Sequence, residues 1–300
     1  MARERRDYAK IRRRVWIERA IKIAVVIIVA VIPAIPIWLM YAGLIAQAFS
    51  SRVTLGIVPV GFTLKNWRFL WSEISMGLKK YPSIWPMFMN SLYLALGTAL
   101  IVSLIAGMAG YALSRMEFPG RNQMMQFILA LHAFPSVVLL IALFILLNKL
   151  GLYGKGFVTL TGVMVIEAAL QIPMGAWIMK GFFDSIPWDV EWAALVDGCS
   201  RFTAWRKVIL PLVLPGFAAV ALFAFLAGWA EFILVFTFIT NQQWYPISVY
   251  IYNLIGEFKY VDWGLLAAAS LFYAIPTIIF FALSQKLLLR IYVGGLKGVR

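Results

Sequence analysis

The sequence predicts an all-α polytopic membrane protein with six transmembrane helices and both termini on the cytoplasmic side. Three observations carry that expectation: an excess of apolar residues, six long apolar stretches, and an uneven placement of basic residues. Of the 300 residues, 63% are hydrophobic and 13% charged, and the mean hydropathy is +0.86. A soluble domain carries about 45–50% apolar and about 25% charged residues, so a soluble enzyme built on one core is excluded. With no low-complexity tract and no long linker, the chain reads as a basic N-terminal segment (1–21), one membrane domain (22–290) and a short C-terminal tail (291–300).

Crossing the hydrocarbon layer takes about 20 mainly apolar residues per helix. Stretches that meet this fall near 22–49, 87–114, 123–147, 157–179, 210–239 and 264–289. Backbone groups in lipid must be satisfied within the segment, which makes each a helix. The first holds Pro33 and Pro36 and lacks a small-residue cleavage site, so it reads as a retained span rather than a signal peptide. Residues 50–86 form the longest outer loop, and its Trp67, Trp71, Tyr81 and Trp85 suit a membrane interface. Gly97, Gly107 and Gly110 in the second stretch suit close helix packing. Pro135, Pro173 and Pro276 are expected to kink the third, fourth and sixth.

The formal charge of +14 could suggest nucleic acid, but in a chain this apolar it fits the positive-inside bias and anionic headgroups better. With the N-terminus inside, cytoplasmic segments hold 19 of the 27 Lys and Arg residues, much of the bias coming from Arg3–Lys22. No nucleic-acid partner is expected. One cysteine, Cys199, and one histidine, His132, are too few for a disulfide or a metal cluster, so no metal site is predicted.

The loop between the fourth and fifth stretches, 185–211, is rich in local signals. Pro187 suits the first turn of a short helix. Ser185 or Asp189 suits its N-terminal end, and Gly198 suits its termination. A second short helix is expected from about Arg201 to Leu210, with Pro211 redirecting the chain. Such a loop with helices of its own is more often functional than a plain connection.

Ala193-Ala194, three residues, Gly198, nine residues, then Val208-x-Leu210-Pro211 resembles the "EAA" loop of ATP-binding-cassette (ABC) importer permeases. Trp192 stands where the motif glutamate belongs, and the acid comes one place earlier as Glu191. Glu167-Ala168-Ala169 spells the motif literally, but without the glycine and Leu-Pro that should follow. Further matches to the carbohydrate-type permeases run in order along the chain. They are Asn90-Ser91-Leu92, Tyr111-Ala112-Leu113-Ser114-Arg115, Phe118-Pro119-Gly120-Arg121, Ile186-Pro187, Trp229-Ala230-Glu231-Phe232 and Trp263-Gly264. The tail Gly294-Gly295-Leu296-Lys297-Gly298 is similar to the family's glycine-rich end. Within the family, the group of the smaller, second permease of maltose transporters is the nearest resemblance.

The resemblance implies a cell-membrane importer subunit without catalysis. Its cytoplasmic coupling-helix loop (Glu191, Trp192, Ala193, Ala194, Asp197, Gly198, Val208, Leu210, Pro211) would dock on an ATPase, Glu191 standing in for the motif acid. Gly295, Lys297 and Gly298 would reach between the ATPase subunits, while Glu231, Trp229 and Asn90 are candidates for lining the translocation path. The implied partners are a second permease forming a heterodimer, two ATP-binding subunits, an external solute-binding protein, membrane lipid and a sugar or related polyhydroxylated solute. No cofactor is expected on this chain; ATP and Mg would sit on the ATPase, since no G-x-x-x-x-G-K-[ST] sequence occurs here.

Two other classes compete. Glu167, His132 and Glu231 lie within apolar stretches, and such groups could couple ions in a stand-alone secondary transporter. That reading leaves the 185–211 loop without a role, and no inverted repeat accompanies it. An intramembrane enzyme lacks any recognisable nucleophile, paired aspartate or metal constellation.

Overall fold

The computed structural model describes residues 15–19, 21–55, 58–76, 79–81, 83–255 and 261–288. The basic tail before residue 15 and the candidate residues Gly295, Lys297 and Gly298 lie outside them. Four continuous helices are long and apolar enough to cross a membrane: α1 (Val15–Ala48), α2 (Trp85–Arg115), α5 (Phe157–Asp184) and α11 (Trp263–Leu288). Two bent pairs pass the same test when each is taken together, α3 (Arg121–His132) with α4 (Ser136–Lys149), and α7 (Arg201–Leu212) with α8 (Leu214–Ala230). The candidate spans therefore number four to six. Short helices α6 (Trp188–Val196), α9 (Ile233–Phe238) and α10 (Ile247–Ile255) complete the set.

Two stretches expected as single helices are broken. The third bends by 89° between α3 and α4, where Pro135 is extended at φ −62° and ψ 132°. Proline disfavours helical backbone in the residue before it, which places the break here. The fifth bends by 71° between α7 and α8, with Pro215 in the first turn of α8. It stops again at Glu231, extended at φ −62° and ψ 122°, before α9 resumes. Pro173 and Pro276, by contrast, remain inside continuous helices.

The chain forms two compact units. The first holds residues up to Trp67 with Asp262–Leu271. After α1, strands β1 (Arg52–Thr54) and β2 (Val58–Val60) pair antiparallel in a stretch expected to be loop. The last carbonyls of a helix have no partner within it. Asn66 supplies one here, its Nδ2 donating to the Ala48 and Ser50 carbonyls at 3.1 and 2.9 Å. Phe49 packs on Phe62 and Trp67, with ring centroids 6.1 and 5.4 Å away.

The second unit holds residues 68–261 and the remainder of α11. A small hairpin, β3 (Ile74–Met76) with β4 (Lys79–Tyr81), precedes α2. The core is built on α2, α5 and α8 from Ala95, Ala99, Val102 and Ala106, then Ala168, Met179 and Phe183, then Val220, Phe225 and Trp229. Small residues bring these backbones together, as expected of helices that cannot rely on a hydrophobic drive within lipid. A Cβ on Gly110 would stand 2.5 Å from Met179 Cβ and 2.8 Å from the Lys180 backbone nitrogen. Gly97 and Gly107 are likewise filled against Met164 and Phe217, as close-packing positions should be.

Because the obstacle at Gly110 is backbone, Gly110→Leu should cost about 1–3 kcal/mol, the usual penalty of overpacking. Leu100 on the same helix is exposed, so Leu100→Ala should shift stability by no more than about 0.5 kcal/mol. Detergent-denaturant unfolding of the two variants side by side tests this contrast.

Candidate functional site

Two places in the second unit concentrate chemistry-bearing groups: the helical loop 185–213, and a cavity beside the break between α3 and α4. In the loop, the chain leaves α5 at Ser185, whose Oγ donates to the Phe182 carbonyl at 2.7 Å. Ser185 thus closes α5 and does not cap α6. Pro187 is extended just before α6, and Asp189 and Glu191 occupy the first turn of that helix, where negative charge suits the helix dipole.

At the other end of α6, Gly198 has φ +85°. Its N–H donates to the Leu195 carbonyl at 3.0 Å and that of Cys199 to the Ala194 carbonyl at 3.1 Å. A positive-φ closure of this kind favours glycine. Ser200 then starts α7, its Oγ accepting the Thr203 N–H at 3.3 Å. The second half of α7 widens into a π turn over Trp205–Ile209, and Val208, Leu210 and Pro211 sit at this end of the loop, ahead of the bend into α8.

The acid of the loop faces inward. Glu191 is 6% exposed, and its Oε1 accepts the Tyr111 hydroxyl proton at 2.7 Å. Arg115 Nε lies 3.4 Å from Glu191 Oε2, while its Nη2 donates to the carbonyls of Phe183 and Ile186 at 3.0 and 2.7 Å. The guanidinium carbon stands 4.6 Å from the ring centre of Trp188. Next to it, Ser114 Oγ donates to Asp184 Oδ1 at 2.6 Å. As the candidate stand-in for the motif acid, Glu191 is expected to make a partner contact. The structure instead spends this carboxylate within the chain, because residue 191 shares the inward face of α6 with Ala194.

The outward surface of the loop includes large apolar side chains among its charges. Trp192, Val196 and Phe202 are 57%, 85% and 67% exposed, and Ala193 and Asp197 are exposed beside them. A recess of about 450 Å³ opens between the loop and the end of α2, lined by Tyr111, Arg115, Trp188, Trp192, Phe202 and Trp205. Tyr111 and Arg115 were read only as part of a motif. Their spacing of four, which puts both on one helix face, was the available signal for a shared partner.

The cavity beside the α3–α4 break holds about 710 Å³ and is lined by Phe134, Pro173 and five polar residues, His132, Ser136, Glu167, Gln171 and Glu231. His132 Nδ1 donates to the Leu170 carbonyl at 3.1 Å, and Gln171 Nε2 donates to Glu167 Oε1 at 2.9 Å. Glu231 Oε1 accepts the Leu234 N–H at 2.7 Å, serving the start of α9 after the break. The other two path candidates do not join Glu231. Trp229 is 2% exposed and exchanges two hydrogen bonds with Tyr273, donating from Nε1 at 3.1 Å and accepting at its carbonyl at 2.7 Å. Asn90 donates to the Gln243 and Tyr245 carbonyls at 3.0 and 3.2 Å, tying down the approach to α10. Both are spent on internal packing, the reason they leave the cavity wall.

The family model for the binding-protein-dependent transport system inner membrane component matches residues 99–291. The trehalose/maltose transport system permease protein MalG of Thermococcus litoralis is 31% identical, over 94% of this chain and 99% of its own. The sulfoquinovosyl glycerol transport system permease protein SmoH of Agrobacterium fabrum is 30% identical over 93% of each chain. In fold, a chain of a bacterial ABC transporter involved in alginate import superposes with a TM-score of 0.68 at 21% identity, covering 90% of this chain and 96% of that one.

A Cβ on Gly198 would meet nothing within 4 Å, so the cost of replacing it is conformational. Gly198→Val should weaken the loop by about 1–2 kcal/mol, the penalty of left-handed backbone for an ordinary residue, and Gly198→Asn by less. Tryptic cleavage at the exposed Arg201, Arg206 and Lys207, timed on membrane-embedded protein, should quicken in the order Gly, Asn, Val.

Proposed function

The chain belongs to the binding-protein-dependent transport-system inner membrane components, and from that premise we propose how it works within an importer. Members are multi-pass, non-catalytic permease subunits of ABC importers, and this chain is one. Its part, in our reading, is half of the translocation pathway for a sugar or related polyhydroxylated solute, the other half coming from a second, non-identical permease. Two ATP-binding subunits on the cytoplasmic side hydrolyse ATP with Mg, and an external binding protein delivers the solute.

In this reading each bent pair is one span, giving six, with both termini cytoplasmic. The membrane domain covers 22–290, with coupling loop 185–211 entering a cleft on an ATPase and the tail 291–300 reaching between the ATPase subunits through Gly295, Lys297 and Gly298. The cavity at His132, Glu167, Gln171 and Glu231 is this chain's share of the path, its carbonyl, carboxylate and amide groups suited to hydroxyl donors. The relatives named for trehalose, maltose and sulfoquinovosyl glycerol support a saccharide as cargo. Within the loop, Ala193, Ala194, Asp197, Gly198, Val208, Leu210 and Pro211 keep the family pattern, and Trp192 takes the outward place of the motif acid.

One observation carries the docking assignment: a loop bound firmly on its inner side that offers Trp192, Val196 and Phe202 to its surroundings. Exposed aromatic anchors of this sort dominate interfaces, a single one contributing about 2 kcal/mol or more. Tagged protein drawn from native membranes should bring down an ATP-binding subunit and a second permease. Trp192→Ala and Val196→Asp should each reduce recovery of the ATP-binding subunit about tenfold or more while the second permease stays bound. Undiminished recovery in both variants would refute docking through this surface.

A further inference from the structure

The acid of the loop stands one residue away from its place in the family motif, and the geometry supplies a use for it there. Of the residues in α6, only Glu191 and Ala194 are buried. Glu191 makes the hydrogen bond that attaches this helix to α2. That attachment converges on Arg115, in the last turn of α2. One guanidinium spans the end of α5 and the first turn of α6. It donates to the Phe183 and Ile186 carbonyls where α5 gives way to the loop, it lies over Trp188 at the start of α6, and it pairs with Glu191 one turn further along. Tyr111, four residues before Arg115 on α2, holds the other carboxylate oxygen at 2.7 Å.

Apolar contacts alone would let α6 roll or slide against α2, since they are non-directional. One carboxylate oxygen is hydrogen-bonded by Tyr111 and the other lies 3.4 Å from a planar cation that is itself bound to two backbone carbonyls, so rotation and register are restrained together. Burial strengthens the constraint, because separating the partners would strand a charge away from water. We infer that Arg115, Glu191 and Tyr111 are positioning residues forming a rigid joint, which makes the loop move as one body with α2 and the end of α5. Resting on the reading of 185–211 as the ATPase dock, the joint is the element that carries displacement at the ATPase into the membrane helices. It acts through placement and touches neither nucleotide nor solute. The inward acid also explains how the motif position itself could become Trp192: joint and dock are separate duties on opposite faces of α6.

The joint can be tested without the cargo. Nitroxide labels are placed on Leu100→Cys in α2 and Arg206→Cys in α7, in a Cys199→Ser background, since Cys199 is the one native cysteine; both label sites are exposed. Inter-label distances are measured by pulsed electron paramagnetic resonance in the complete complex, nucleotide-free and trapped with ATP and vanadate. The unaltered joint should give one narrow distribution that is the same in both states. Glu191→Gln, which keeps an acceptor for Tyr111 but removes the ion pair, should broaden it about twofold and make it differ between states.

The double variant Arg115→Met with Glu191→Met leaves no stranded charge, so it should fold at wild-type yield and still show the broad, state-dependent distribution. Tyr111→Phe should broaden it less. Distributions in the double variant as narrow as the wild type, and equal in both states, would overturn the proposal. Recovery of the ATP-binding subunit is measured alongside. Its absence from the wild-type complex would overturn the docking reading, whereas its retention with a narrow double variant would overturn the joint alone.

Discussion

Lipid offers no hydrogen bonds to a backbone that leaves the helix, and this constraint organises most of the polar side chains in the protein. At four helix ends a side chain meets the released groups. Asn66 answers the carbonyls at the end of α1, Arg115 those at the end of α5, and Asn90 those approaching α10. Glu231 answers the N–H at the start of α9. Residues that are expensive to bury are retained because an unmet backbone group would be more expensive still.

The same economy shapes the loop 185–213. Its two short helices are too brief to be stable alone, and α6 contributes almost nothing to the core. It holds its place through polar bonds to α2, leaving the outer face free to be apolar. For the proposed docking role, a tryptophan on a loose loop would be a poor element, since ordering it would consume binding energy. Anchored from behind, it is already placed. In the cavity beside α3 and α4, His132 meets a carbonyl of α5 and Glu231 meets the start of α9.

The family's broken motif shows how reading a sequence by register can mislead. In the motif register Glu191 is a displaced acid, but the helix periodicity sends residues 191 and 194 to the inner face together. The Tyr111 to Arg115 spacing was visible as a motif, but its partner lies 76 to 80 residues along the chain, a separation no local pattern reveals. Asn90 and Trp229 are path candidates in the sequence for a similar reason. Polar and amphipathic groups in apolar stretches look functional in one dimension, and only the fold showed that neighbouring helices absorb them.

What the sequence by itself determined was the class of the protein. Apolar length dictates helices in a membrane, and the ordered motifs identify a permease family. Glycine at 198 marks the turn, and the glycines of α2 mark where helices approach, because these are local consequences of backbone and side-chain size. Tertiary structure decided where those helices break, which face of α6 looks inward, and which buried polar groups meet. Those outcomes depend on competition between distant backbone groups for the few partners that lipid does not supply. Such competition is settled only when all the helices are packed together.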